Sequence, residues 1–233
     1  MNFPYLSNHD IDTEAERLRL EALGTRAQVV PVDLEIVVYD YLCEAEQLSI
    51  DDDAYLPDEE GDEVLGKTLV RAGRILINRR LKTAGDLGRY RFTLAHELGH
   101  WRLHRPQVLA AADQRALFPE MAEADVITTL NRSIVGPNPP RHEIQANRFG
   151  ATLLINPQAL QREFAARFGA AAATPVLAHA SDLTLRERGR LLAGHAVGVS
   201  PSLASAFAVS IEAMAIALEA RGYLADGPTL FTS

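Results

Sequence analysis

With 233 residues, 47% of them hydrophobic, the chain is long enough to bury a core of its own and has the composition of a soluble globular protein. Its formal net charge of -8 disfavours broad binding to DNA or to anionic membranes, because both require a basic surface that releases counterions. Cys43 is the single cysteine, which excludes an internal disulfide and fits a reducing compartment.

The amino-terminal segment MNFPYLSNHDIDTEAERL has no basic start followed by an apolar run, which is the pattern of a secretion signal. No apolar stretch in the sequence reaches the length of a membrane span. We therefore expect a cytoplasmic protein that has no membrane partner.

Two helices are predicted early in the chain. The first follows Asp12, where Glu14 and Glu16 suit the positive end of the helix dipole, and it ends near Gly24. The second is capped by Asp33 and places its apolar residues on one face: Leu34, Val37, Val38, Tyr41 and Leu42.

A turn and a β-hairpin are predicted next. The acidic segment from Asp51 to Glu63 has few apolar residues and lacks the ligand order of a Ca²⁺ loop, so we expect an exposed turn. The segment KTLVRAGRILINR then predicts a hairpin that turns at Ala72 and Gly73. The strand ending near Asn78 either offers an edge to an extended peptide or lies inside the sheet.

The stretch RFTLAHELGHWRLH contains His96, Glu97 and His100 in the pattern H-E-x-x-H, which is the signature of zinc peptidases. Positions i and i+4 of a helix lie on one face, so both imidazoles can bind one Zn²⁺ while Glu97 faces an attacking water. A five-residue pattern also arises by chance, so its context must support it.

His104 lies four residues after His100 and invites assignment as a third histidine ligand. Each i+4 step climbs about 6 Å and rotates by about 40°, so a metal between His96 and His100 is out of reach of His104 on a continuous helix. No glycine lies between His100 and His104 to break the helix. We expect this helix to begin near residues 84–87 and to end just before Pro106.

Glu143 is the candidate for the third protein ligand. The segment RHEIQANRFGATLLINP follows GPNPP and is predicted to form a buried helix that stops at Pro157. Asn147 lies one turn beyond Glu143 and can hydrogen-bond a ligand imidazole, whereas His142 is rotated by about 100° and is a poorer ligand. Alternatively, Glu143 is a helix-start carboxylate that the helix dipole stabilises.

Taken in order, GRILINRRL, RFTLAHELGHWRLH and ExxANRFGATLLINP resemble the ImmA/IrrE family of metallopeptidases. Members of this family follow the H-E-x-x-H helix with an E-x-x-A-N-x-F-A-x-x-L-L-x-P helix, and Gly150 stands here where alanine is usual. The resemblance is clear over roughly Val30 to Pro157. It implies a zinc site formed by His96, His100 and Glu143, with Glu97 as general base.

The connection from His104 to Glu143 is long for a compact domain and contains apolar residues enough for a helix or two. We expect either a partly ordered lid beside the cleft or a simple surface insertion in residues 105–142.

The carboxyl-terminal segment PSLASAFAVSIEAMAIALEARGYL, at about residues 202–224, has helix-turn-helix spacing, with Ser210 as a helix cap. Its would-be recognition helix presents Glu212 and Glu219 and has only Arg221 as a cation. Phosphate contacts require Lys and Arg, so we expect a packing or partner-docking module, and direct nucleic-acid binding is disfavoured.

The predicted fold is therefore α+β. A small, mostly antiparallel sheet packs on helices that include a zincin-type H-E-x-x-H helix. A metallopeptidase domain is expected over residues 1–157, and an α-helical region with the helix-turn-helix-like segment over residues 158–233.

The predicted function is a zinc-dependent endopeptidase, although two imidazoles and a carboxylate also accept Mn²⁺ or another divalent ion. Tyr90 and His142 are candidates for stabilising the oxyanion. The family resemblance implies a helix-turn-helix repressor as substrate, whose cleavage derepresses stress-response or mobile-element genes. The alternatives are a non-catalytic zinc-containing regulator that binds a repressor, and a DNA-binding regulator that uses the carboxyl-terminal helices.

Overall fold

The computed structural model describes residues 3–83, 87–115, 126–130, 139–169 and 183–224. The chain forms two compact units, of which the first comprises Met1–Ala27 with Asp33–Leu153 and the second Gln28–Val32 with Leu154–Ser233. Within the described ranges, every helix is too short or too polar to cross a membrane.

Helices make up most of the described chain. They are α1 (Asn8–Leu23), α2 (Ile36–Leu42, π-helical), α3 (Arg80–Thr83), α4 (Leu87–Gly99), α5 (Arg105–Arg115), α6 (Arg141–Leu154), α7 (Pro157–Phe168), α8 (Leu185–Gly194), α9 (Leu203–Ala206) and α10 (Ile211–Ala220). Shorter helical segments lie at Gly24–Arg26, Cys43–Ala45 and His100–His104. The strands are β1 (Ser49–Ala54), β2 (Val64–Leu69), β3 (Arg74–Asn78) and β4 (Val126–Leu130).

The first helix begins one turn earlier than predicted. Ser7 accepts a hydrogen bond from the Asp10 backbone N–H at 3.1 Å, and the Asp10 carboxylate accepts one from the Ser7 backbone N–H at 3.1 Å. This reciprocal capping box satisfies backbone donors that would otherwise be unpaired, so the helix starts at Asn8 instead of after Asp12.

The four strands form one mixed sheet in the order β1-β3-β2-β4. β2 is antiparallel to both β3 and β4, whereas β1 is parallel to β3. The pairing of Leu69 with Arg74 confirms the predicted hairpin, and the α+β class is confirmed. The acidic segment is not wholly a turn, because Asp51 to Ala54 belong to strand β1.

The hypothesis that the strand ending near Asn78 offers a free edge is wrong. That strand is β3, and it lies between β1 and β2. Asn78 is buried, and its side-chain amide donates hydrogen bonds to the backbone oxygens of Leu56 and Val64 at 2.9 and 2.7 Å. Among the described strands, the edges of the sheet are β1 and β4.

The prediction that the H-E-x-x-H helix ends before Pro106 is also wrong. Helix α4 passes at His100–His104 into a π-helical turn, and α5 continues from Arg105 to Arg115. Pro106 is the second residue of α5, directly after the π-helical turn, so the helical segment passes a proline that has no N–H to donate. Of the long connection, the described parts are α5 and β4, while the remainder of the expected lid lies outside the described residues.

The second unit contains a helix pair linked by charged side chains. Arg186 and Arg190 of α8 lie 2.6 to 2.9 Å from carboxylate oxygens of Glu212 and Glu219 on α10. Ser210 caps α10 as predicted, because its hydroxyl accepts from the Ala213 backbone N–H at 3.1 Å. The two acidic residues of the segment at 202–224 therefore serve packing between helices.

Candidate metal centre

Two histidines of α4 and its π-helical extension meet one glutamate of α6. The Nε2 atoms of His96 and His100 are 2.9 Å apart. Glu143 places Oε2 at 3.1 Å from the His96 Nε2 and Oε1 at 3.4 Å from the His100 Nε2. All three side chains are buried, and one donor atom from each lies within 4.8 Å of the others. We call these three residues the His-Glu cluster.

The cluster forms because α4 and α6 approach each other closely. A Cβ added at Gly99 would lie 3.1 Å from the Cα of Ala146, and one added at Gly150 would lie 3.1 Å from the backbone nitrogen of His96. Both distances are shorter than ordinary van der Waals contact, so the two glycines allow the helix backbones to come together. Gly150, which replaces the alanine usual in the resembling family, therefore lies directly behind the first histidine.

Asn147 contacts the ring nitrogen of His96 that faces away from Glu143. Its Oδ1 lies 2.9 Å from the Nδ1 of His96. A side-chain carbonyl oxygen only accepts hydrogen bonds, so Nδ1 carries the proton and the Nε2 of His96 is left with a lone pair. The structure thus brings Asn147, one helical turn from Glu143, to the His96 imidazole.

The donor atoms of the cluster fit a divalent metal ion. Glu143 Oε2 is buried without a hydrogen-bond partner among the described residues, and a neutral His96 with its proton on Nδ1 directs the lone pair of Nε2 toward it. Zinc–ligand bonds of 2.0 to 2.1 Å place tetrahedral ligand atoms about 3.3 Å apart. The separations of 2.9 to 3.4 Å in the cluster are close to that value.

Burial and mutual contacts shift the pKa values of the three cluster residues in different directions. Burial alone would raise the pKa of Glu143, but contacts with His100, His142 and His96 hold that pKa well below its ordinary value. Burial lowers the pKa of His100 to about 4. At His96, burial is outweighed by contact with Glu143, which raises the pKa, so a metal ion would compete with a proton at this imidazole while finding Glu143 ionised and His100 neutral.

Glu97 lies outside the His-Glu cluster and is held against strand β2. Its Oε2 accepts a hydrogen bond from the Thr68 hydroxyl at 2.6 Å, and a Cβ added at Gly66 would lie only 2.4 Å from its Oε1. Burial raises the pKa of Glu97 to about 7. The sequence provided no signal for Thr68 or Gly66, because strand β2 and helix α4 meet only in the folded chain.

His104 contacts the far side of His100. Its Nδ1 lies 2.9 Å from the Nδ1 of His100, and its Nε2 lies 3.0 Å from the Oε1 of Gln145. The Nε2 of His100, which faces Glu143, is on the opposite side of that ring. His104 is therefore not among the donors of the cluster, and Gln145 is a second neighbour that the sequence reading did not identify.

The two candidates for oxyanion stabilisation lie in different places. The Tyr90 hydroxyl donates a hydrogen bond to Asp52 of β1 at 3.0 Å, so the structure does not bring this group to the His-Glu cluster. The His142 Nε2 lies 3.2 Å from Glu143 Oε1, and its side chain remains 26% exposed. His142 is therefore a partly exposed imidazole directly beside the cluster.

Comparison with protein families identifies one match. The family model Peptidase_M78, described as the IrrE N-terminal-like domain, matches residues 52–219, which is well over half of the chain. The match extends beyond Pro157 into α10, further than the sequence motifs alone. Neither the curated proteins nor the solved structures include a significant match.

Proposed function

The chain belongs to the peptidase M78 family of IrrE N-terminal-like domains, and from this premise we propose that it is a zinc-dependent endopeptidase. The proposal depends chiefly on one observation, which is that His96, His100 and Glu143 converge while Glu143 Oε2 is buried without a hydrogen-bond partner among the described residues. These three residues would hold the metal. Mn²⁺ or another divalent ion suits the same donors.

When bound, Zn²⁺ would polarise the scissile carbonyl and acidify the attacking water. Glu97 would take the proton from that water and deliver it to the leaving nitrogen. Its pKa of about 7 in the metal-free protein suits a base that must exchange protons near neutral pH. The Thr68 hydroxyl would hold the Glu97 carboxylate in place, and His142 would donate a hydrogen bond to the developing oxyanion.

Among the described strands, β4 lies at an edge of the sheet and would accept an extended substrate there. It pairs with β2 through Gly66 and Thr129, and the Thr129 side chain is near enough to Glu97 to lower the pKa of that carboxyl. A peptide added along β4 would therefore pass close to the proposed base. A crystal structure with a non-hydrolysable peptide tests this placement, and a peptide bound along β1 would contradict it.

The proposed substrate is a helix-turn-helix transcriptional repressor, whose cleavage would derepress stress-response or mobile-element genes. This finer assignment is supported by the family resemblance alone. In a cytoplasmic setting, the segment at 202–224 would dock a protein partner. The arginines of α8 are already paired with Glu212 and Glu219, which leaves few cations for phosphate contacts and favours protein docking over a DNA contact.

Glu97→Gln tests the proposed mechanism directly. We expect the variant to keep its zinc but to cleave a helix-turn-helix repressor roughly 10²- to 10⁴-fold more slowly, because an amide cannot act as the general base. Metal content and gel-based cleavage are measured together, with the exposed Glu44→Gln as the matched control.

Equal cleavage by the Glu97→Gln variant and the wild type would contradict the mechanism. Zinc and repressor binding without cleavage by the wild type would instead identify a non-catalytic regulator. DNA affinity that persists at physiological salt would favour the DNA-binding alternative.

A further inference from the structure

A chain of hydrogen bonds leads away from the metal-facing side of His100. The Nδ1 of His100 lies 2.9 Å from the Nδ1 of His104, and the Nε2 of His104 lies 3.0 Å from the Oε1 of Gln145. The Gln145 amide nitrogen in turn donates to the backbone oxygen of Pro4 at 3.0 Å. The chain thus joins the π-helical turn, helix α6 and the amino-terminal segment.

The direction of every hydrogen bond in this chain follows from its last member. The Pro4 carbonyl can only accept, so Gln145 presents its amide nitrogen to Pro4 and its carbonyl oxygen to His104. That oxygen also only accepts, so the Nε2 of His104 carries a proton. In a neutral imidazole the other nitrogen is then an acceptor, and it receives the Nδ1–H of His100.

The consequence reaches the His-Glu cluster. With its proton on Nδ1, His100 has a lone pair on Nε2, the atom that lies 3.4 Å from Glu143 Oε1. The opposite tautomer would direct an N–H into the position of a metal ion. The hydrogen-bond direction that the Pro4 carbonyl imposes on Gln145 and His104 therefore determines which nitrogen of His100 is free to bind a metal.

The three side chains of the hydrogen-bond chain are shielded from water, whereas Pro4 at its end is exposed. His100, His104 and Gln145 are all buried. The Phe3 ring packs against His104 in an edge-on arrangement, with 4.9 Å between the ring centroids. A buried imidazole that loses its partner has no solvent to replace the hydrogen bond, so the cost of a wrong tautomer is high.

We propose that His104 and Gln145 are positioning residues that hold His100 in the metal-binding tautomer. Asn147 does the same for His96 with a single hydrogen bond, whereas His100 relies on two side chains and a backbone carbonyl. This role rests on the proposed metal site, but the tautomers can be measured without any metal.

The first experiment reads the tautomers in the metal-free, full-length protein. Long-range ¹H–¹⁵N spectra of histidine-labelled protein should give an Nδ1–H form for His100 and an Nε2–H form for His104. The exposed His9 should show an ordinary mixture and serves as the control. An Nε2–H form of His100 would overturn the proposal, whether or not the wild type binds zinc.

The second experiment measures the zinc dissociation constant by competition with a chelator. His104→Phe and Gln145→Leu should weaken zinc binding roughly 10- to 100-fold, the usual cost of removing a partner of a ligand imidazole. His104→Gln should recover most of the affinity, because its side-chain oxygen can accept from His100 and its amide can donate to Gln145. The exposed Gln161→Leu is the matched control.

A folded His104→Phe variant with wild-type zinc affinity would overturn the positioning role. A residue with only a structural role would lower the melting temperature of the metal-free protein without changing the dissociation constant. If the wild type binds zinc no more tightly than Glu143→Ala, the proposed function fails, and the spectra of the metal-free protein still decide the tautomers.

Discussion

Helices α4 and α6 meet through buried polar side chains, whereas α8 and α10 meet through partly exposed ion pairs. In the first pair, Glu143 Oε2 has no hydrogen-bond partner among the described residues, although the side chain is buried. In the second pair, Glu212 faces Arg186 and Arg190 at 2.9 and 2.6 Å, with about half of the Arg190 side chain exposed. Each arrangement contains acidic residues on the first turn of a helix.

The difference separates a binding site from ordinary surface packing. A buried carboxylate oxygen without a donor is costly, and it persists where another group supplies the missing charge. Exposed ion pairs already neutralise one another and contribute little to stability. Substitutions at matched positions in the two helix pairs should therefore have very different effects.

The largest expected effect is on metal affinity. Glu143→Ala should weaken zinc binding roughly a thousandfold, because a binding free energy of about 10 to 16 kcal/mol is shared among few protein ligands. Glu212→Ala, which removes a first-turn glutamate of α10, should leave affinity unchanged. Chelator competition measures both, and equal affinities of the two variants would contradict the assigned ligand set.

The next effect concerns stability and pH in the metal-free protein. The pKa of Glu97 is raised from 4.5 to about 7 by burial, so between these values the folded state binds more protons than the unfolded state. Wild-type stability therefore falls as pH rises through this window. Relative to the wild type, the free energy of unfolding of Glu97→Gln should rise by up to about 3 kcal/mol between pH 5 and pH 8.

Denaturant titrations in a chelating buffer test this dependence. Glu212 should give a pH dependence of stability with the opposite sign. Hydrogen bonding to Arg190 lowers the pKa of Glu212, so the stabilisation from this carboxylate is lost as pH falls. Glu212→Gln should therefore lose stability relative to the wild type as pH rises toward about 4.5, and the difference should stay constant between pH 5 and pH 8. If the difference in unfolding free energy between Glu97→Gln and the wild type does not change with pH, Glu97 does not have the raised pKa of a buried carboxyl group.

A smaller effect is expected from Gly66→Ala. The new methyl group would lie 2.4 Å from Glu97 Oε1, so the carboxylate must move. A displacement of about 1 Å lowers turnover on the order of 100-fold, while zinc affinity should stay unchanged because Glu97 is not in the His-Glu cluster. Gly194→Ala in α8 is the control, since its methyl group would meet only the end of the Ile211 side chain. Unchanged kcat in Gly66→Ala would show that the position of Glu97 is not critical.

The smallest effect is expected on the surface of the second unit. Arg190→Ala removes an exposed ion pair with Glu212 and should change the free energy of unfolding by less than about 1 kcal/mol. Raising the salt concentration should shrink the difference from the wild type further. Urea titration measures it, and a loss above about 2 kcal/mol would mean that α8 and α10 depend on their charges more than on apolar packing.

Local sequence patterns predicted the features that depend only on the spacing of residues along one helix. The i and i+4 positions of His96 and His100 follow from helix geometry, and so do the neighbouring positions of Glu143 and Asn147. The hairpin turn and the Ser210 cap are equally local, and the structure contains both. Periodicity carries this information because each of these features depends on residues only a few positions apart.

Contacts between distant segments were not predictable in this way. No local signal indicates that Thr68 and Gly66 meet Glu97, or that β3 lies inside the sheet with β1 parallel to it. The π-helical turn at His100–His104 carried the helix past Pro106, against the usual expectation for proline. These outcomes depend on strand order and on helix packing, which no short window of sequence contains.

The sequence by itself determined which residues can bind a metal and which can act as a base, because ligand chemistry and helical spacing are properties of short segments. Only the tertiary structure decided that Gln145 and the Pro4 carbonyl orient His104 behind His100. These hydrogen bonds join α6, the π-helical turn and the amino-terminal segment, which are far apart in the sequence. Their directions are therefore fixed only once the three segments are packed together.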